Sequence, residues 1–380
     1  MYGTALGEGG LGVQAANALR ALALTGHDVH AIGPGPAPDF DTSGLARVTW
    51  HTVPPLSSQV IVRSPLRWRP GIAQWWRDRR LGRQAYARLE RIRPDACYAF
   101  TQVALESLRW ARHAGVPTVL ESPNGHIRNF RDVYTREAQT LCGARYHGHP
   151  ARVMAARVEA EYRLAGRIRV SSEWARQSLM EGSVPETSIF VLQQPIDLQR
   201  YRPESSGRRP GDVLRVCFVG SLDLRKGFAY LLRAVRHLRG RVSAELVGAT
   251  GDRCCRRLLA REREGLEVRI GPGDPRPAFS RSDLFVLPTL EDGSPFATAE
   301  AMASGLPVLT TPCNGGAEWL TPGVTGWIAA PRSAAALADV FERAAAQIVH
   351  LREMGLQARL DTERRAGPEC DRLVADWVAR

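Results

Sequence analysis

Short apolar runs alternate along the chain with stretches whose apolar positions repeat every three to four residues. The first pattern predicts strands buried on both faces, the second amphipathic helices. In the first half the strand-like runs are 28–33, 47–53, 95–100, 117–121, 167–171 and 188–192, with helical patterns at about 10–25, 73–92, 102–114, 150–165 and 173–182. In the second half the runs are 214–220, 242–248, 266–270, 283–288, 307–311 and 326–330, with helices near 227–239, 252–264, 294–304 and 333–348. Such alternation predicts an α/β protein with parallel sheets covered on both faces. The stretch 198–212 (LQRYRPESSGRRPGD) mixes Pro, Gly, Ser and charge and reads as a linker. The expectation is two doubly wound, Rossmann-like domains, 1–197 and 213–360, facing a cleft, with 361–380 as a C-terminal segment. Open sheets of this kind bind ligands at the carboxyl ends of their strands.

The chain opens oddly for this class. A helix pattern begins at Gly9–Gly12, and the preceding YGTALGEG is not a strand sequence. The first strand of the first domain is expected to be missing. That leaves an unoccupied position in the sheet beside helix 10–25 and puts the true start upstream.

Composition narrows the class. With 380 residues, 44% hydrophobic and 24% charged, the chain has a globular make-up at a two-domain length. No apolar run approaches the ~18–20 residues of a membrane span. The N-terminus has neither the basic nor the apolar region of a signal peptide, so a cytoplasmic protein is expected. The net charge of +12 suits nucleic acid, an anionic membrane or anionic small molecules. Of 51 basic residues a single one, Lys226, is lysine. Arginine-rich codon usage explains the bias, and the exception marks a place where a compact ammonium fits and a planar fork does not. Seven cysteines, with no C-x-x-C, lie at 97, 142, 217, 254, 255, 313 and 370, and predict no disulfide framework. His147 and His149 lack partners for a metal site, and no metal is expected.

Five constellations can carry chemistry. In Leu290-Glu-Asp-Gly-Ser-Pro-Phe-Ala-Thr-Ala-Glu300, Ser294 suits an N-cap and Pro295 a first helical position, so a helix start falls at a strand's carboxyl end, where free N–H groups receive an anion. Asp292 precedes that helix and Glu300 lies inside it, two carboxylates able to accept from sugar and ribose hydroxyls. Gly220-Ser-Leu-Asp-Leu-Arg-Lys-Gly227 places Arg225 and Lys226 at the next such turn, facing a leaving phosphate. Gly7-Glu-Gly-Gly-Leu-Gly12 allows close backbone approach to a diphosphate, without the strand and spacing of a nicotinamide fingerprint. Asn314-Gly-Gly-Ala-Glu318 is a further turn after a strand, and Glu121-Ser-Pro-Asn-Gly-His126 offers a loop histidine.

Together these motifs resemble glycosyltransferase family 4, of the GT-B architecture. Asp292…Glu300-Ala-Met-Ala-Ser-Gly-Leu-Pro-Val resembles the family's E-x7-E motif, with Asp292 in place of the usual Glu and Glu291 competing for that role. Gly220…Arg225-Lys226-Gly227 resembles the donor-phosphate turn, with Ser221 where Arg is frequent, and Glu8–Gly12 the glycine loop. Ser171-Ser-Glu173 and Gln194-Pro-Ile-Asp197 resemble later markers. The resemblance implies a retaining hexosyl transfer from a nucleotide diphosphate sugar, without metal or cofactor. It implies that Arg225 and Lys226 stabilise the diphosphate. Asp292 and the backbone of Gly293, Ser294, Pro295, Phe296 and Ala297 would hold the donor sugar, aided by Ser221. Glu300 would bind the ribose, Gly9 and Gly10 would approach the phosphates, and His126 would contact the sugar. The acceptor would be a glycan, a lipid-linked or a small molecule. The family's C-terminal helix returns to the first domain, which 361–380 could do.

Residues 60–93 carry ten arginines interleaved with Trp68, Trp75 and Trp76. They form either a surface for an anionic membrane, at its inner face, or a solvated helix with its tryptophans turned inward. Three rival readings are weaker. A nucleic-acid-binding protein lacks any recognition motif, a nicotinamide-dependent sugar epimerase lacks the fingerprint, and a non-catalytic glycosyltransferase-like protein rests on the missing strand and Asp292.

Overall fold

The computed structural model describes residues 1–54, 70–143, 150–204 and 213–365. The described residues divide into two compact units, 1–132 with 150–195, and 133–143 with 196–365.

The second unit is a six-stranded parallel sheet in the order β12-β11-β10-β7-β8-β9. Its strands are β7 (Leu214–Val219), β8 (Val242–Val247), β9 (Val268–Gly271), β10 (Leu284–Leu287), β11 (Val308–Thr310) and β12 (Gly326–Ile328). The chain runs outward from β7 to β9 and then returns to the other side of β7 with β10. The order therefore reverses between β7 and β10, and a crevice opens there at the strands' carboxyl ends. All four residues of β10 are buried, as both-face coverage requires.

The first unit holds a parallel pair, β1 (Val29–Gly33) and β2 (Val48–Thr52), and a parallel four-stranded sheet β3-β4-β5-β6. The latter comprises Cys97–Phe100, Thr118–Glu121, Arg167–Val170 and Ile189–Val191. The unoccupied sheet position anticipated from the sequence is present between β1 and β3. Met1 and Tyr2 enter only its carboxyl end: the Tyr2 amide donates to Ile32 O (3.2 Å), and Phe100 N donates to Met1 O (3.0 Å).

Twelve helices accompany the strands among the described residues: α1 (Gly9–Leu24), α2 (Pro70–Ile92), α3 (Leu105–Ala114), α4 (Ile127–Cys142), α5 (Arg152–Leu164), α6 (Glu173–Glu181), α7 (Phe228–His237), α8 (Arg253–Glu262), α9 (Arg276–Arg281), α10 (Phe296–Ala303), α11 (Ala334–Ala346) and α12 (Ile348–Arg365). Helices α4, α9 and most of α12 were not expected. From Val133 onward α4 belongs to the second unit. There Glu137, fully buried, accepts from the Tyr230 hydroxyl and from Arg332 Nε, each at 2.6 Å.

One expectation is corrected here. Cys142 and Cys254 form a disulfide, Cα–Cα 6.4 Å, although no disulfide was expected. The fold brings the end of α4 onto the start of α8, where Arg261 Nη2 also donates to Leu141 O (3.2 Å). The start of the stretch expected to be a linker packs on the second unit: Arg359 Nη1 donates to the carbonyls of Tyr201 (2.7 Å) and Ala303 (2.8 Å), and Tyr201 is buried. Residues 205–212, His147, His149, Trp68 and the segment 366–380 lie outside the described residues.

Candidate functional site

The crevice between β7 and β10 is walled by two turns. After β7, Asp223 caps the short 3-10 turn Leu224–Lys226, accepting from the Lys226 amide at 3.1 Å, and Ser221 Oγ donates to the Asp223 carboxylate at 2.6 Å. Gly227 closes the turn with φ +73°, and a Cβ there would stand 2.1 Å from Pro288 O. Only glycine permits both the left-handed backbone and the close approach of the second turn. That second turn, 288–295, is tied back by Leu290 N to Arg225 O (2.8 Å) and forward by Gly315 N to the carbonyls of Asp292 and Gly293 (both 3.1 Å).

These ties sort the four charged side chains. Arg225 Nη1 donates to Glu291 O (2.6 Å) and lies 3.2 Å from Glu291 Oε2, and the Glu291 side chain is wholly buried. Glu291 thus anchors the arginine from beneath. Lys226 Nζ forms its ion pair with Asp292 Oδ2, which also lies 3.6 Å from Arg225 Nη1. The choice between the two adjacent acids is therefore geometric: Glu291 faces inward and Asp292 faces the ammonium. Burial opposes the charge on Arg225, but Asp292, Asp223 and Glu291 outweigh it and keep its guanidinium firmly protonated.

Helix α10 starts one residue later than expected. Pro295, not Ser294, is its N-cap, and no side chain caps it. Its first turn, Phe296 and Ala297, therefore keeps N–H groups free for an anion. Glu300 lies on the second turn. Burial raises its carboxyl to about 7, while the Tyr201 hydroxyl donates to it and Arg200 lies near. Tyr201 was missed because the stretch around it read as linker.

Gly9 and Gly10 form the exposed, side-chain-uncapped start of α1. His126 is enclosed by its neighbours. Its ring is packed against Tyr162, a Cβ on Gly182 would stand 2.3 Å from it, and the residue is 3% exposed. Its amide donates to Ser178 Oγ (2.9 Å) and its Nδ1 accepts from Arg128 N (3.3 Å), which fits an internal packing role. On α2 the tryptophans divide: Trp76 is exposed, Trp75 is partly buried against the core, and the Arg79 guanidinium lies over both rings. Among the described residues no group of three or more metal-ligating side chains occurs, and no helix is long and apolar enough to cross a membrane.

Comparison with known proteins agrees with this layout. The family model described as Glycosyltransferase Family 4 matches residues 8–200, and that of Glycosyl transferases group 1 matches 214–347. A colanic acid biosynthesis glycosyltransferase of Salmonella typhimurium, WcaL, is 30% identical over 185 residues, 44% of this chain and 45% of the relative. The amylovoran biosynthesis glycosyltransferase AmsK of Erwinia amylovora is 30% identical over 193 residues, 46% of each. The chain thus spans under half the length of these curated relatives. Among solved structures, sucrose-phosphate synthase of Thermosynechococcus elongatus superposes with TM-score 0.77 at 17% identity, covering 100% of this chain and 97% of that one. WaaG, a glycosyltransferase involved in lipopolysaccharide biosynthesis, gives 0.72 at 17%, covering 100% and 98%. Anabaena HepE in complex with UDP-glucose also gives 0.72 at 17%, with the same coverage. The fold is that of these GT-B proteins.

Proposed function

The chain belongs to glycosyltransferase family 4, and on that premise we propose that it moves a sugar from a nucleotide diphosphate sugar to a glycan or lipid-linked acceptor, retaining the anomeric configuration and using no metal. The observation that carries the reading is the Arg225–Lys226 cation pair set against Asp292 at the point where the strand order reverses. The incoming diphosphate competes with Asp292 for the Lys226 ammonium. Lys226 then meets the phosphate, and the released carboxylate accepts from sugar hydroxyls. The two cations supply the positive charge that the leaving diphosphate needs. Glu300 accepts from the ribose in place of the Tyr201 hydroxyl.

The resemblance to the family supports retention, and on this reading Asp292 is engaged by sugar hydroxyls while Glu291, wholly buried and ion-paired with Arg225, does not act as a nucleophile. The acceptor oxygen attacks C1 from the face the phosphate leaves, the C1–phosphate oxygen bond breaks, and the acceptor proton passes to the departing phosphate oxygen. The relatives named for colanic acid and amylovoran biosynthesis support a growing glycan as acceptor. The exposed Arg77, Arg83 and Arg91 of α2, flanked by Trp76 and Tyr86, support peripheral contact with an anionic membrane.

The test is a thermal-shift screen of UDP-, GDP- and ADP-sugars followed by transfer assays on the responders. At least one donor raises the melting temperature. A flat response to all of them would favour a non-catalytic homologue. Substituting Arg77 and Arg83 by Ser weakens flotation with phosphatidylglycerol vesicles, and unchanged flotation removes the membrane contact.

A further inference from the structure

At the carboxyl ends of β3 and β4 the first unit holds a strained residue. Gln102 has φ +78°, a left-handed backbone that a residue with a side chain adopts at a cost. Two buried side chains of α5 keep it there. The Gln102 amide donates to Glu161 Oε2 (2.7 Å), and its carbonyl accepts from Arg157 Nε (2.6 Å). Glu161 also accepts from Leu105 N (3.0 Å), and Arg157 Nη1 donates to Glu106 Oε1 (2.8 Å). Both backbone polar groups of Gln102 are thus fixed by a buried ion network. Strain held in this way marks a residue whose placement matters.

The side chain so placed meets α2. Gln74 Nε2 donates to Gln102 Oε1 (2.9 Å), and paired side-chain amides offer donors and acceptors together. One helical turn on, Asp78 Oδ2 is buried with no hydrogen-bond partner among the described residues. Burial raises the Asp78 carboxyl to about 7, against Arg77, Arg157 and Gln74. At neutral pH it is therefore as often a neutral acid as a carboxylate, which suits hydroxyl partners better than an ion pair.

Gln74, Thr101, Gln102 and Asn124 line two adjoining hollows of about 70 and 30 Å³, and Asp78 lines the larger. At about 30 Å³ for each water-sized group, the larger has room for two hydroxyls and not for a nucleotide base or an acyl chain. No Lys, Arg or His lines either hollow, so a phosphate or a uronate finds no counter-charge there. Leu11, Phe100 and Val103 add an apolar wall to the larger one, which suits the C–H edge of a sugar ring.

We propose that Gln74, Asp78, Gln102 and Asn124 select the acceptor by taking two adjacent hydroxyls of an uncharged terminal sugar. The proposal rests on the transfer reaction proposed above, which is what makes the bound sugar an acceptor. The side-chain amides and the Asp78 acid hydrogen-bond the hydroxyls, and a sugar lacking one of them leaves a buried polar group unpaired.

The test uses the whole chain, titrated by saturation-transfer NMR with methyl hexosides (glucoside, galactoside and mannoside), methyl glucuronide and glucosamine. Gln102→Gly is the first variant, because glycine accepts φ +78° and removes the amide while sparing the fold. Asp78→Leu, similar in size and without polar atoms, is the second. At least one hexoside is expected to bind the parent about tenfold more tightly than the glucuronide and glucosamine. Each variant is expected to weaken that binding about tenfold without lowering the melting temperature. Donor-induced stabilisation, measured on the same samples, should match that of the parent. Hexoside binding that both variants leave unchanged, or tighter binding of the glucuronide or glucosamine, would overturn the proposal. So would a parent that responds to a donor and binds no hexoside. A parent that responds to no donor overturns the acceptor assignment together with the transfer reading.

Discussion

Lys226 Nζ is ion-paired with Asp292 Oδ2 across the reversal between β7 and β10, and both side chains are nearly buried, at 12% and 8% exposure. On the proposed reading an incoming diphosphate displaces Asp292 from the lone lysine of the chain. Lys226→Ala is expected to lower kcat by about 10²–10³-fold, the usual cost of losing a charge that stabilises a developing anion. Lys226→Arg should recover little, because a planar fork does not replace a compact ammonium here. Single-turnover sugar transfer with the identified donor checks both, and an unchanged rate removes Lys226 from the leaving-group role.

Gly227 sets that pair in place. Gly227→Ala imposes the left-handed penalty of about 1–2 kcal/mol, to which the contact with Pro288 O adds. The expected outcome is a lower melting temperature together with weakened donor binding, since the turn carrying Lys226 must shift. Urea denaturation and donor titration of the same variant read the two effects.

Glu300 makes stability depend on pH. Its folded carboxyl titrates near 7, above the usual 4.5, through burial. Between those values the folded state holds a proton that the unfolded state has released, so stability falls as pH rises through this window. Glu300→Gln removes the dependence. The variant is expected to melt on the order of a few degrees above the parent at pH 8 and alongside it at pH 4.5. Donor affinity of the parent should move oppositely and drop below pH 7, where the carboxylate is lost. Melting curves and donor titrations at five pH values test the pair of trends.

The Cys142–Cys254 bridge closes a loop with a sequence separation of 112. Reducing it, or making Cys254→Ser, is expected to cost about 2–4 kcal/mol of stability. Denaturant midpoints with and without dithiothreitol measure this, and the Cys254→Ser midpoint should not respond to the reductant.

All the strands were legible in the sequence, within one or two residues at each end. Strands buried on both faces concentrate Val, Ile, Leu and Phe, as in Leu284–Leu287, and a glycine turn or an N-cap follows them. Helix α4 was not read, although Ile127, Phe130, Tyr134, Ala138 and Leu141 form a helical stripe. Its many charges and the preceding Ser-Pro-Asn-Gly turn masked that stripe. The motif positions Arg225, Lys226 and Asp292 were legible as residue types. Which acid meets the lysine was not, because Glu291 and Asp292 are chemically alike neighbours and only the backbone of the turn sends one inward. The disulfide was equally invisible, its halves being brought together by folding alone. The role of His126 at the donor sugar came from the resemblance alone, and its enclosure between Tyr162 and Gly182 could not be read from the sequence.

The division of α4 bears on how such a protein can be recombined. Its residues from Val133 onward, with Glu137 between Tyr230 and Arg332 and Cys142 bridged to Cys254, belong with the second unit while lying within the first unit's sequence. A chimera cut once near residue 195 would strip the second unit of a buried carboxylate and a covalent tie. A graft intended to exchange donor preference between relatives must therefore be discontinuous, carrying the 133–143 segment along with everything after the cut.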